Sequence, residues 1–197
     1  FAARFRDPLL GLELLCEYPV LARIVMTRAD QWVGATKELV LRLREDWPLV
    51  LRAFPSAEEA GALTSVETGR GDTHREGRSV ASLTFASGFR LMYKPRSMST
   101  DAHFRSLVTW LNERGLEPVL RAPIVLDRHT HGWQEFVHTE ECQDVDALAR
   151  FYRRQGALVA LLYVLHAVDF HYENLIAAGE DPVLVDLESL FHSSHQN

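Results

Sequence analysis

The stretch Asp169-Phe170-His171-Tyr172-Glu173-Asn174-Leu175-Ile176-Ala177-Ala178-Gly179-Glu180-Asp181-Pro182-Val183-Leu184-Val185-Asp186 decides how this chain is read. An aspartate is followed five residues on by an asparagine, and twelve residues later a second aspartate closes the apolar run Val183-Leu184-Val185. Phosphoryl transfer needs an acid that orients the attacking hydroxyl and hard oxygen ligands for a Mg²⁺ that bridges phosphates. Asp169 fits the first role, and Asn174 and Asp186 fit the second. Taken singly, each also fits an ordinary polar loop in which Asp169 caps a turn, His171 is a surface imidazole and Asp186 ends a strand. The three spacings together favour the chemical reading.

Outward from this stretch, the texture of the chain predicts its elements. Before it, Asp144 to Ala167 reads as a long helix with a capping acid and an apolar stripe through Leu148, Phe151, Leu158, Leu162 and Leu165. Within it, Pro182 to Leu187 reads as one short buried strand. Further upstream, Val80–Ala86 and Phe89–Tyr93 form two alternating runs around Ser87-Gly88, a hairpin signal. A helix from about Thr100 to Glu113 follows, capped by Ser99 or Thr100 and stopped by Gly115. Ile124–Leu126 and Gln134–Val137 read as two more strands around a turn at His131 and Gly132. From Pro8 to about Phe54 the period is helical, broken where Pro19 restarts the chain after Tyr18, and Cys16 on this pattern reads as a buried, inert thiol. The fold class is α+β. The order of loop, hairpin, helix, strands, long helix, polar loop and strand is that of a kinase-like two-lobe fold up to its metal-binding loop.

That order gives other residues a meaning. Lys94 ends the second strand of the hairpin, where a kinase places the lysine that pairs with nucleotide phosphates. It follows the Gly-rich segment Gly69 to Arg78, whose backbone amides suit phosphate oxygens but which matches neither a Walker loop nor the usual kinase glycine loop. Asp72 in that segment is better suited to orienting Lys94 or a metal than to touching phosphate, and Arg78 and Arg96 can supply positive charge. His103, His129, His166, His192 and His195 have no ligand-like grouping.

Bulk composition narrows the function classes. The chain has 47% hydrophobic residues in 197, enough for a core, and its 21 basic against 27 acidic side chains argue against general nucleic-acid or anionic-membrane binding. Cys16 and Cys142, the two cysteines, lack zinc-ligand spacing and suggest a reducing cytoplasm. No apolar run is long enough to span a membrane. A start at Phe1 without methionine, and an end at Asn197 close behind the richest motif, suggest a fragment of something longer.

Five ordered segments resemble the class II, LanM-type lanthipeptide synthetases: Gly71 to Val80, Tyr93-Lys94-Pro95-Arg96, Gly132-Trp133-Gln134-Glu135-Phe136-Val137, Asp169 to Asn174, and Pro182 to Glu188. The resemblance runs from roughly Gly71 to Phe191. It implies a dehydratase that uses ATP and Mg²⁺ to phosphorylate Ser or Thr of a ribosomal precursor peptide bearing a leader, then eliminates phosphate to leave dehydroalanine or dehydrobutyrine. It implies that Lys94 holds ATP phosphates, Asp169 and His171 serve phosphorylation, and Asn174 and Asp186 bind Mg²⁺. Asp72 and His74 then belong to the active-site loop, and Gly132–Val137 is a hinge in which Glu135 and Val137 meet adenine. Residues 1–60 would be a helical scaffold, 61–140 a kinase-like N-lobe and 141–197 the start of a C-lobe, with the elimination residues and a zinc-containing cyclase domain outside this chain. Two other readings stay open: a small-molecule phosphotransferase of the aminoglycoside or choline type, which shares the Asp-x-His-x-x-Asn order, and a pseudokinase that binds peptide without catalysis. The precursor's identity and the oligomeric state are not legible.

Overall fold

The computed structural model describes residues 8–69, 77–168, 170–188 and 190. It is α+β, with four α-helices, a five-stranded antiparallel sheet and a separate two-stranded hairpin among these residues. Helix α1 (Pro8–Glu17) gives way at Tyr18 to α2 (Pro19–Ala53), which starts on Pro19, a residue whose fixed φ and missing N–H suit the first helical turn. The distal half of α2 lies on one face of the sheet, where Leu39, Val50 and Phe54 pack with Leu83, Leu91 and Trp133. Helix α1 and the proximal half of α2 do otherwise: Leu9 and Leu12 of α1 and Ile24, Met26 and Trp32 of α2 are exposed, and so is Cys16 of α1, contrary to the buried thiol expected.

The sheet runs in the order β1-β2-β3-β5-β4, from β1 (Leu63–Thr68), β2 (Ala81–Phe85), β3 (Arg90–Lys94), β4 (Val125–Asp127) and β5 (Gly132–Glu135). The expected hairpin is β2–β3, turning at Gly88, whose φ of 88° a side chain would resist. Strand β1 was not expected. The turn between β4 and β5 lies earlier than expected, with Arg128 N–H donating to His131 O at 2.8 Å, so that Gly132 is already strand and Val137 lies past the strand's end.

Helix α3 (Ser99–Glu113) is preceded by Met98 at the N-cap position with no side-chain cap, where Ser99 or Thr100 had been expected to cap. Helix α4 (Val145–Val164) is capped as expected, Asp144 accepting from Ala147 N–H at 2.6 Å, but ends three residues before Ala167. The expected lone strand is half of a hairpin, β6 (Leu175–Ala178) with β7 (Asp181–Leu184). Phe104 and Val108 of α3, Leu158 of α4, Leu184 of β7, and Leu187 and Leu190 beyond it share a second core. That core fixes the end of β7 relative to α3.

Gly132 is needed at its position for closeness. A Cβ there would sit 2.7 Å from Met98 Cγ and Sδ and 2.9 Å from Leu126 O. Met98 is fully buried and Gly132 pairs in register with Lys94, so the missing side chain lets the start of α3 settle beside the end of β3. Gly132→Ala should therefore cost about 1–3 kcal/mol through overpacking, read as a lower urea midpoint at unchanged slope. A variant as stable as the parent would show that Met98 yields freely.

Candidate functional site

The end of β3 and the end of β7 converge. Lys94 is 6% exposed, its Nζ donating to the carbonyl of Val185 and lying 3.7 Å from Asp101 Oδ1. A buried ammonium needs paired acceptors, and these two groups supply them. Burial pulls the Lys94 ammonium below the ordinary lysine range and Asp186 and Glu188 add to the opposing pull of Asp101, while Arg96 reinforces the drop. Asp101, 3% exposed in the first turn of α3, was not singled out from the sequence. In sequence it resembles any acid placed for a helix N-terminus; its link to Lys94 exists only once β3 and α3 fold together.

Arg96 sits beside this pair with every guanidinium nitrogen engaged. Nη1 donates to Asp101 Oδ2 at 3.0 Å and to Ser97 O at 2.9 Å, Nη2 to Asp186 Oδ1 at 2.9 Å, and Nε pairs with Glu188. Burial alone would lower its pKa, but the carboxylates of Asp101, Glu188 and Asp186 outweigh that and raise it. Two cations and three carboxylates thus interlock where β3, α3 and the chain after β7 meet.

Asn174 joins this group through the backbone. It ends a short 3-10 turn (Tyr172–Asn174), and its carbonyl accepts from Val185 N–H at 3.0 Å. Val185 is therefore held on both sides, its N–H by Asn174 and its carbonyl by Lys94, with Asp186 next in the chain. His171 caps the 3-10 turn, Nδ1 accepting from Glu173 N–H at 3.3 Å. Among the described residues no three His, Cys, Asp or Glu side chains cluster as a metal site. A Mg²⁺ held mostly by phosphates and water asks for less, one or two protein oxygens, and the Asn174 amide and the half-exposed Asp186 carboxylate fit it as hard donors.

Of the other expected residues, Arg78, Glu135 and Val137 are engaged away from this group. Asp72, His74 and Asp169 fall outside the described residues. Arg78 pairs with Glu38 on α2 at 2.7 Å, at a groove lined also by Trp32, Thr36, Val66 and Tyr93 that includes neither Lys94 nor Asp186. The Glu135 side chain is tied down, accepting from Arg121 at 2.6 Å and from Ile124 N–H at 3.0 Å, and its backbone N–H donates to Ile124 O at 2.9 Å. Val137 is buried against Ala178 and Val183, at the joint between β5 and the β6–β7 hairpin.

A second polar cluster went unread in the sequence. Asp46 of α2, 2% exposed, accepts from Trp133 Nε1 at 2.8 Å, His131 Nε2 at 2.7 Å and Arg128 Nε at 2.8 Å. Burial alone would raise its pKa, but the donors of Trp133 and His131 and the charge of Arg128 lower it. Burial lowers the pKa of His131, outweighing Asp46. The imidazole then donates from Nε2 and accepts at Nδ1 from the Thr130 hydroxyl, 3.2 Å away. This cluster ties α2 to the β4–β5 turn.

Among the described residues no helix is long and apolar enough to cross a membrane. A family model described as "Domain of unknown function (DUF4135)" matches residues 18–197. Among curated proteins, the chain is similar to the "Lacticin 481/lactococcin biosynthesis protein LcnDR2" of Lactococcus lactis subsp. lactis, 25% identical over 188 residues. That match covers 91% of this chain and 20% of the relative, so the chain spans about a fifth of the relative's length.

Proposed function

The chain belongs to the DUF4135 family found in class II lanthipeptide synthetases, and we propose that it carries the ATP-using half of a kinase-like dehydratase acting on Ser and Thr of a precursor peptide. One observation carries this reading: the buried Lys94 pairs with an acid of α3 and with the carbonyl directly preceding Asp186. The sheet with one helix between β3 and β4, followed by a long helix, a 3-10 turn and a hairpin, supports a two-lobe arrangement divided near residue 140. Lys94 then holds ATP phosphates, the backbone of Glu135–Val137 meets adenine, and Asn174 and Asp186 hold Mg²⁺. Asp72 and His74 belong to the loop side of the nucleotide, in less direct roles, while Arg78, paired with Glu38, braces the end of that loop against α2.

In the transfer, the Ser or Thr oxygen bonds to the γ-phosphorus as the bond to the β,γ-bridging oxygen breaks and ADP leaves. Asp169 takes the hydroxyl proton, and His171 serves the same step. Mg²⁺, when bound, neutralises charge on the phosphate oxygens. Elimination is a separate event: a base removes the Cα proton, the Cβ–O bond breaks, phosphate departs and a double bond forms. Different substrate atoms are involved, so the two halves should separate.

The intact protein with Asp169→Ala, given peptide, ATP and Mg²⁺, should form no phosphopeptide, yet should still eliminate phosphoric acid from a synthetic phosphoserine precursor when ADP is present. Mass spectrometry reads both. Loss of both steps in a folded variant would sink the division of labour. Turnover of small alcohols without peptide turnover would point instead to a small-molecule phosphotransferase.

A further inference from the structure

The position of Asp186 is set less by its own strand than by Arg96. Strand β7 ends at Leu184, and beyond it the carboxylate of Asp186 is half exposed. The named contacts to that carboxylate both fall on Oδ1, from Arg96 Nη2 at 2.9 Å and from Glu188 N–H at 3.4 Å. Fixing one oxygen fixes the direction of the other. Arg96 itself cannot swing away easily, since it is 16% exposed and its other nitrogens are held by Asp101, Ser97 and Glu188. It also sits two residues after Lys94, on the short link between β3 and α3.

We propose that Arg96 is a positioning residue that orients Asp186 as a metal ligand and ties that orientation to the seating of α3. The inference rests on the metal role proposed above for Asp186. A guanidinium suits this task because its planar fork makes several bonds at fixed angles; a lysine ammonium carries the same charge as a single point and cannot span Asp101, Asp186 and Glu188 together. Groups that hydrogen-bond to a metal ligand tune affinity by about ten- to a hundredfold, and loss of Arg96 belongs in that range. Because the effect passes through Asp186, the loss should appear in metal affinity and be largely recovered at saturating metal.

The test is a titration of the intact protein with Mn²⁺ in the presence of ADP, followed by electron paramagnetic resonance, beside the Mg²⁺ dependence of peptide phosphorylation. Arg96→Lys should weaken Mn²⁺ binding about tenfold or more and raise the Mg²⁺ needed for half-maximal rate by the same factor, with most of kcat restored at high metal. Arg96→Gln is measured in the same way should the lysine variant not fold. Unchanged Mn²⁺ affinity overturns the inference, as does tighter binding, which would make Arg96 a competitor for Asp186. A raised KM for ATP at saturating metal with unchanged Mn²⁺ affinity also overturns it, since it would put Arg96 on the phosphates. Asp186→Asn separates this from the underlying reading. If Asp186→Asn binds Mn²⁺·ADP as the parent does, the metal role of Asp186 fails; if it loses binding while both Arg96 variants keep it, only the Arg96 inference fails.

Discussion

Asp186→Asn in the intact protein is expected to slow peptide phosphorylation by about a thousandfold, because a metal that neutralises developing phosphate charge contributes several kcal/mol to the transition state. The substitution keeps the side chain's shape and removes its charge. An amide oxygen still accepts from Arg96, so α3 and the end of β7 should keep their places, and circular dichroism should be unchanged. Nucleotide affinity should fall less than rate, since the contacts proposed for Lys94 and for the backbone of Glu135–Val137 remain. Asn174→Ala should act in the same direction, with the backbone bond from Val185 N–H to the Asn174 carbonyl retained. Quenched-flow measurement of phosphopeptide at saturating ATP and peptide decides the matter. A folded Asp186→Asn protein within tenfold of the parent rate would overturn the metal role proposed for Asp186.

The charge pattern around Asp186 explains why the rate rather than the fold should bear the loss. Arg96 retains Asp101 and Glu188 when Asp186 is neutral. Lys94 retains Asp101 and the Val185 carbonyl. No cation is left buried alone, so the large penalty of an unpaired charge does not arise. Replacing Asp101 instead would strip both cations of a buried partner at once, and its effect on stability and on rate could not be told apart.

Much of this arrangement was legible because it is periodic or locally spaced. The β2–β3 hairpin announces itself by alternation around Ser87-Gly88, and α4 by a capping Asp144 and an apolar stripe. The strand β1 did not, because all six of its residues are exposed and Leu63-Thr64-Ser65-Val66-Glu67-Thr68 carries no sustained apolar alternation. Strand β6 was hidden in what reads as a polar loop, since Leu175-Ile176-Ala177-Ala178 is short and becomes a strand by pairing with β7. Cys16 was misplaced because helical periodicity reports a face without saying what covers it. Lys94, Asn174 and Asp186 could be chosen as candidates from spacing, but Asp101 and the span of Arg96 depend on contacts between segments, with Arg96 reaching Asp186 90 residues away and Glu188 beyond it. Asp46 is a stronger case, since a lone acid in a helical period reads as solvated and its partners lie 85 and 87 residues away.

Asp46→Ala should cost about 3–5 kcal/mol of stability. It strands the Trp133 indole N–H and the His131 Nε2–H in a dry interior and leaves Arg128 without its buried carboxylate. Against a usual stability of about 5–15 kcal/mol this is a large share, and the melting temperature should fall by about 10 °C. Asp46→Asn should lie between, because its amide oxygen can still accept while its NH₂ opposes a donor. The same cluster gives a pH signature. Both Asp46 and His131 have pKa values depressed by folding, so the folded state binds fewer protons than the unfolded one and stability rises with pH. The His131 contribution is complete above about pH 6.5 and is lost as pH falls through its folded value; that of Asp46 is complete above about pH 4 and is lost on further acidification. His131→Gln should flatten the upper step and leave the lower one in place. Thermal unfolding of both variants and the parent from about pH 2 to 8, in the intact protein, would measure it. If Asp46→Ala melts with the parent, or His131→Gln keeps the full loss of stability between pH 7 and 5, the cluster is not what fastens α2 to the sheet.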